Sequence, residues 1–90
     1  MFIGELQWED KDINHIALHN VTPQEIEDVC FGLHLSKKER GQRYILSGQA
    51  DNGRYINVII QRIGGSIFRP KTAFEMSEKY KKRYKKRFGK

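Results

Sequence analysis

Apolar positions along the chain change period twice, and those changes divide it into elements. Residues 2–8 open with Phe2, Ile3, Leu6 and Trp8, a short apolar and aromatic stretch that predicts a first strand. Over 9–19, Ile13, Ile16 and Ala17 fall at i, i+3 and i+4, the spacing of one helix face. Asn20 closes that helix, because asparagine tolerates the left-handed backbone of a helix C-terminus. Thr22-Pro23-Gln24-Glu25 is a capping box with proline at the first helical position, and it predicts the start of a second helix. The threonine hydroxyl accepts a free backbone N–H, the glutamate reaches back to the cap, and negative charge suits this end of the helix dipole. Ile26, Val29, Cys30 and Leu33 then share one face. Cys30 reads there as a small core residue.

Residues 36–42 are polar and read as a loop, after which the period shortens to two. Residues 43–49 read as a strand, and Asp51-Asn52-Gly53 as a turn, since Asn-Gly readily supplies positive φ. The run 54–62 holds Ile56, Val58, Ile59 and Ile60, apolar on both faces, which marks a central strand. Gly64-Gly65 turns the chain again, and 66–72 returns as the third strand of a meander. Pro70 cannot donate to a ladder and belongs at an edge or near that strand's end. From about Phe74, the residues Met76, Tyr80, Tyr84 and Phe88 recur every four positions, an aromatic stripe on an otherwise cationic helix. The order β-α-α-β-β-β-α predicts an α+β fold, a small antiparallel sheet packed against helices, in one domain spanning 1–90.

Charge changes this picture more than composition does. Residues 1–35 carry seven carboxylates against Lys11 alone, whereas 36–90 carry sixteen Lys/Arg against four carboxylates. A basic module with an acidic flank points to a polyanion partner, nucleic acid being the commonest. The plainer alternative is one solvated helix, since seven cations lie between Lys79 and Arg87. No apolar run approaches the roughly 20 residues of a membrane span, so no membrane role is expected. The opening Met1-Phe2-Ile3-Gly4-Glu5 has neither the basic nor the apolar region of a secretory signal. A single cysteine excludes an internal disulfide, and a cytoplasmic location is expected.

Candidate chemistry is concentrated in histidines and arginines. His15 and His19 share a helix face at a spacing that can bind zinc, but a zinc site needs further ligands, and no metal is expected. A histidine acting as general acid or base on a phosphodiester suits the imidazole pKa better. The meander strands hold Arg43, Arg54, Arg62, Arg69 and Lys71, which strand alternation can gather on one face or edge to clamp a phosphate. The chain has neither a Walker A motif nor GxGxxG, so no nucleotide cofactor is expected. Tyr80, Tyr84 and Phe88 read first as core at this spacing and second as surfaces on which bases stack, with the surrounding cations tracking the phosphates.

The ordered set of residues resembles the BrnT family of ribonuclease toxins from type II toxin–antitoxin systems, which have a RelE-like fold. Trp8, the run from His15 through His19 and Asn20 to Thr22, and Glu25-Ile26-Glu27-Asp28-Val29 begin the match. Arg43, Gly48, Gly53-Arg54, Arg69-Pro70-Lys71-Thr72-Ala73 and Tyr84 continue it over nearly the whole chain. The resemblance implies metal-independent RNA cleavage, a hydrolase-class activity held in check by a cognate antitoxin protein. Carried onto this chain, it makes Arg43 and Arg69 the phosphate clamp and His19 the acid/base, with Arg54, Lys71, His15 and Tyr84 positioning RNA. Leu18-His19-Asn20 stands where the family has Lys-His-Gly, and Phe74 where an arginine commonly follows. Those departures leave one alternative, a non-catalytic RNA/DNA-binding or protein-interaction module on the same fold.

Overall fold

A computed structural model describes residues 1–88. The elements run β1 (Glu5–Leu6), α1 (Asp10–Ala17), α2 (Pro23–Phe31), β2 (His34–Lys38), β3 (Arg43–Gln49), β4 (Tyr55–Gly64), β5 (Ile67–Glu75) and α3 (Glu78–Phe88). They form one five-stranded sheet in the order β1-β5-β4-β3-β2. β1 pairs parallel with β5, and the other pairs are antiparallel. The α+β class and the order of helices around the meander are as the sequence predicts. β2 is an additional strand: its polar residues 36–38 belong to the antiparallel ladder with β3, and the loop shrinks to the turn 39–42. Polar composition hid it, because an edge strand exposed to water needs no apolar alternation.

The capping box forms as the sequence dictates. Thr22 Oγ1 accepts from the Glu25 backbone N–H at 3.2 Å, and Glu25 Oε1 accepts from the Thr22 N–H at 2.9 Å. Asn20 ends the α1 turn with φ +62°, the left-handed conformation expected of it. The apolar face of α2 buries Ile26, Val29 and Cys30, but the helix stops at Phe31, leaving Leu33 outside it and 66% exposed. On α1 the buried positions are Asp12 and Ile16, whereas Ile13 stays exposed, so the inward face is turned from the one that apolar spacing alone selects.

One face of the sheet carries the core. Leu46, Val58 and Ala73 align across β3, β4 and β5, flanked by Ile56, Ile60 and Phe68, and α1 and α2 close over them with Ile16, Val21, Ile26 and Val29. Burying such side chains contributes about 1.5–3 kcal/mol each. Burial also pushes the Cys30 thiol up to about 12, so it stays protonated, a packing residue as read from the sequence. The opposite face presents the alternate positions, among them Arg43, Ile45 and Ser47 of β3 and Tyr55, Asn57, Ile59 and Gln61 of β4. α3 lies over one end of that face: Tyr84 is buried, packs edge-on against Tyr55 at 5.9 Å, and donates its hydroxyl to the Leu33 carbonyl. Among the described residues no helix is long and apolar enough to cross a membrane.

Gly48 sets how closely α2 approaches the sheet. A Cβ there would lie 2.9 Å from Val29 Cγ1 and 3.1 Å from the Leu33 carbonyl oxygen, one a core side chain and the other backbone. Gly48→Ala should therefore destabilise the fold by about 1–3 kcal/mol, the cost of overpacking, and lower Tm by at least about 4 °C. An unchanged melting curve would show that α2 yields freely and that this contact does not set the helix position.

Candidate nucleic-acid interface

Of the five candidate cations of the meander, Arg43 and Arg69 share a cross-strand row through Gln61, and Arg54, Arg62 and Lys71 lie elsewhere. Arg54 stands just before β4, at the Asn52-Gly53 turn. Its Nη1 donates to both Glu25 carboxylate oxygens at 3.0 and 2.9 Å and to the Asn20 carbonyl at 2.7 Å, while Nε and Nη2 donate to Glu75 Oε1. Glu25 also accepts from Asn52 Nδ2 at 2.9 Å. Burial alone would raise the Glu25 pKa, but the Asn52 and Thr22 hydrogen bonds and the Arg54 charge together hold it below the ordinary carboxylate range. These bonds from within the protein make Arg54 a tie between α2, the α1–α2 junction and the end of β5.

Arg69 is held in the same manner at the other edge. Its Nε and Nη2 grip Asp12 of α1 bidentately at 2.7 and 3.1 Å, and Nη1 pairs with Glu9 at 2.8 Å. Desolvation would raise Asp12, yet the hydrogen bonds and charge of Arg69 overcome it and leave its pKa lowered. This pair explains why Asp12 can be buried on the inward face of α1. The phosphate clamp expected of Arg69 is thus already filled by two carboxylates. Lys71 occupies the bulge in β5 between the Ile59–Thr72 and Ile60–Pro70 pairs, half-buried, with Asp12 close enough to feel its charge. Arg62 points to the core side, where its guanidinium lies 5.1 Å from the Phe68 ring and donates to the Gly65 carbonyl.

Arg43 is different. It opens β3 in a cross-strand row with Gln61 and Arg69, exposed, and its Nε donates to the neutral Gln61 Oε1 at 3.1 Å. Among the described residues no carboxylate pairs with it. A groove of about 320 Å³ beside it is lined by Glu39, Arg40, Arg43 and Ile59. The turn that builds this groove is closed by the Glu39 N–H on the Arg43 carbonyl at 2.8 Å, with Gly41 at φ +64°. One carboxylate and two guanidinium groups therefore face one solvent-filled space at the open half of the sheet, beside the end that α3 covers.

His15 and His19 are exposed, with ring centroids 5.5 Å apart, His15 in the last turn of α1 and His19 in the turn that follows it; α1 itself packs against β5. Arg43 lies on β3, two strands from β5 against which α1 packs, whereas Arg69 of β5 bonds to Asp12 on α1 itself. Among the described residues no group of three His, Cys, Asp or Glu side chains gathers that could hold a metal. Tyr84 is 3% exposed, stacked between Tyr55 and Phe88, and belongs to the core beneath α3 rather than to a base-stacking surface.

No family model and no curated protein matches the chain. Among solved structures, it is similar to the Brucella abortus ribonuclease toxin BrnT. The superposition has a TM-score of 0.67, covers 82% of this chain and 97% of that one, and shows 16% sequence identity. This chain has the BrnT fold. The α+β sheet-and-helix frame expected from the ordered residues is therefore shared with BrnT, while roles for individual side chains have to come from their own surroundings.

Glu39, in a polar run that reads as loop, lines the same groove as Arg40 and Arg43, with its backbone N–H on the Arg43 carbonyl. Asp12 and Glu25 supply the test of the two filled clamps. Each has a folded pKa below its ordinary value of 3.8 or 4.5, so its stabilising contribution is complete above that value and is lost as pH falls through the lower, folded one. The urea midpoint should fall steadily below about pH 4, and Asp12→Asn should lower the midpoint at neutral pH while flattening part of the acid limb. A midpoint constant between about pH 4 and pH 2 would show that the clamps do not stabilise the fold.

Proposed function

We propose that this protein is a metal-independent endoribonuclease toxin of a toxin–antitoxin pair, acting in the cytoplasm and neutralised by a cognate antitoxin. The observation that carries the reading is the groove in which Arg43, unpaired by any described carboxylate, stands beside Arg40 and Glu39 on the BrnT fold. RNA carries its own nucleophile, the 2′-hydroxyl. In this groove Glu39 takes the 2′ proton as general base, and the 2′ oxygen attacks the adjacent phosphorus. The bond to the 5′ oxygen breaks, that oxygen takes a proton from solvent, and a 2′,3′-cyclic phosphate and a 5′-hydroxyl result. Arg43 and Arg40 offset the charge that builds on the equatorial oxygens, where fixed donors act most strongly. The exposed lysines and arginines of α3 hold the flanking strand by its phosphates without reading sequence.

A second reading, a binding module without turnover, is favoured by the carboxylates that hold Arg69, one of the two arginines of the expected clamp, and Arg54, expected to position RNA. One assay separates the two: purified protein with end-labelled RNA in EDTA. Arg43→Ala should lose about 100-fold to 1,000-fold in cleavage rate, and Glu39→Gln a comparable factor of about 100-fold or more. His19→Ala should cleave as the parent does. Cyclic phosphate ends from the parent alone support the ribonuclease. Cleavage that EDTA abolishes and a divalent metal restores overturns the metal-free route, and intact RNA that is retarded on a gel leaves the binding module.

A further inference from the structure

Three arginines of the meander are each held by other side chains, and the chemistry of the holder differs. Arg54 is held by Glu25 and Glu75, and Arg69 by Asp12 and Glu9, carboxylates that neutralise what they orient. Arg43 is held by an amide. Its Nε donates to Gln61 Oε1 at 3.1 Å, and among the described residues its Nη1 and Nη2 have no partner in the protein. Gln61 is half-buried on β4, between Arg43 and Arg69 in one cross-strand row. All three nitrogens of the Arg69 guanidinium are engaged by Asp12 and Glu9, so the Gln61 oxygen is left to Arg43. Glu39 lines the groove beside Arg43 without a salt bridge to it among the described residues.

From this contrast we propose that Gln61 is the positioning residue of the groove, a neutral acceptor that orients Arg43 and leaves its charge to a phosphodiester. An amide oxygen carries no net charge, so the bond fixes the guanidinium plane without cancelling the cation. With Nε taken, the Nη1–Nη2 edge stays open, and two parallel donors of that kind match the two non-bridging oxygens of one phosphodiester. A carboxylate at position 61 would accept the same bond but add the charge that Asp12 brings to Arg69. That the phosphodiester belongs to an RNA being cut rests on the ribonuclease reading; the holding of Arg43 for a phosphate does not.

Two variants separate orientation from neutrality. Gln61→Glu keeps an acceptor and cancels the charge, whereas Gln61→Met keeps the charge and removes the acceptor; melting curves establish that both are folded. Binding is read by fluorescence anisotropy with a labelled single-stranded DNA, which has no 2′-hydroxyl to react, over a series of salt concentrations. Cleavage of a labelled RNA is followed in EDTA. Gln61→Glu should match Arg43→Ala in binding, with a salt slope smaller by about 0.7, one phosphate contact on a single strand. Gln61→Met should keep the parent slope, because attraction needs only the charge, and lose about tenfold in kcat with little change in KM, because the transition state needs the oriented fork. In an Arg43→Ala background Gln61→Met should cost nothing further, as for a residue that acts through another.

A parent-like slope in Gln61→Glu, equal loss of slope in both variants, or additive loss in the double variant would overturn the assignment. A parent that leaves RNA intact while the DNA slopes differ as stated removes the ribonuclease and keeps Arg43 held for a phosphate. A parent that cuts RNA, with both variants binding and cutting as it does, removes the positioning role and keeps the ribonuclease.

Discussion

Glu25 and Arg54 form the knot on which the arrangement of this small fold turns. The Glu25 carboxylate caps α2 through Thr22, fixes the β3–β4 turn through Asn52, and neutralises Arg54. Arg54 in turn holds the Asn20 carbonyl at the α1–α2 junction and Glu75 at the end of β5. Two side chains thus join both helices of the core layer to the β3–β4 turn and the end of β5. The cost of burying a carboxylate is met by hydrogen bonds from three sources, which is the condition under which a buried charge holds a structure rather than opening it. Lysine cannot replace arginine here, because a point charge reaches one of these partners while the planar fork reaches all of them.

The same logic explains where the basic excess is free to act. The acidic first third is not a separate shield: Glu9, Asp12 and Glu25 are spent on Arg69 and Arg54, drawing those guanidinium groups into the frame. Beyond these pairs and that of Lys81 with Glu78, the cations without a salt bridge among the described residues include Arg40, Arg43 and the rest of α3, with Lys11, Lys37, Lys38, Arg62 and Lys71 elsewhere. A net charge read along the chain could locate the excess in residues 36–90, but only the ion pairs show which arginines remain available.

Much of the fold follows from local rules. The capping box at Thr22, the Asn20 stop, the Asn52-Gly53 turn and the two-faced apolar run of β4 each form because backbone chemistry and burial point the same way. Failure came where a tertiary partner decides the outcome. β2 is polar and was invisible to periodicity; Leu33 fell off the helix face because α2 ends at Phe31; and Asp12 took an inward position that apolar spacing gave to Ile13, since Arg69 waits there. The site was harder still. Arginine positions in the chain say nothing of which carboxylates they will meet, and both Arg69 and Arg54 meet carboxylates on the helical layer. Glu39 carries no signal of its own in a run of Ser, Lys and Arg, and becomes interesting only through the hairpin register that lays it beside Arg43.

A shared fold at 16% identity preserves the path of the chain and leaves the side chains free to change roles. At the turn between β2 and β3, Glu39, Arg40 and Arg43 line one groove, a local arrangement that the shared fold by itself does not dictate.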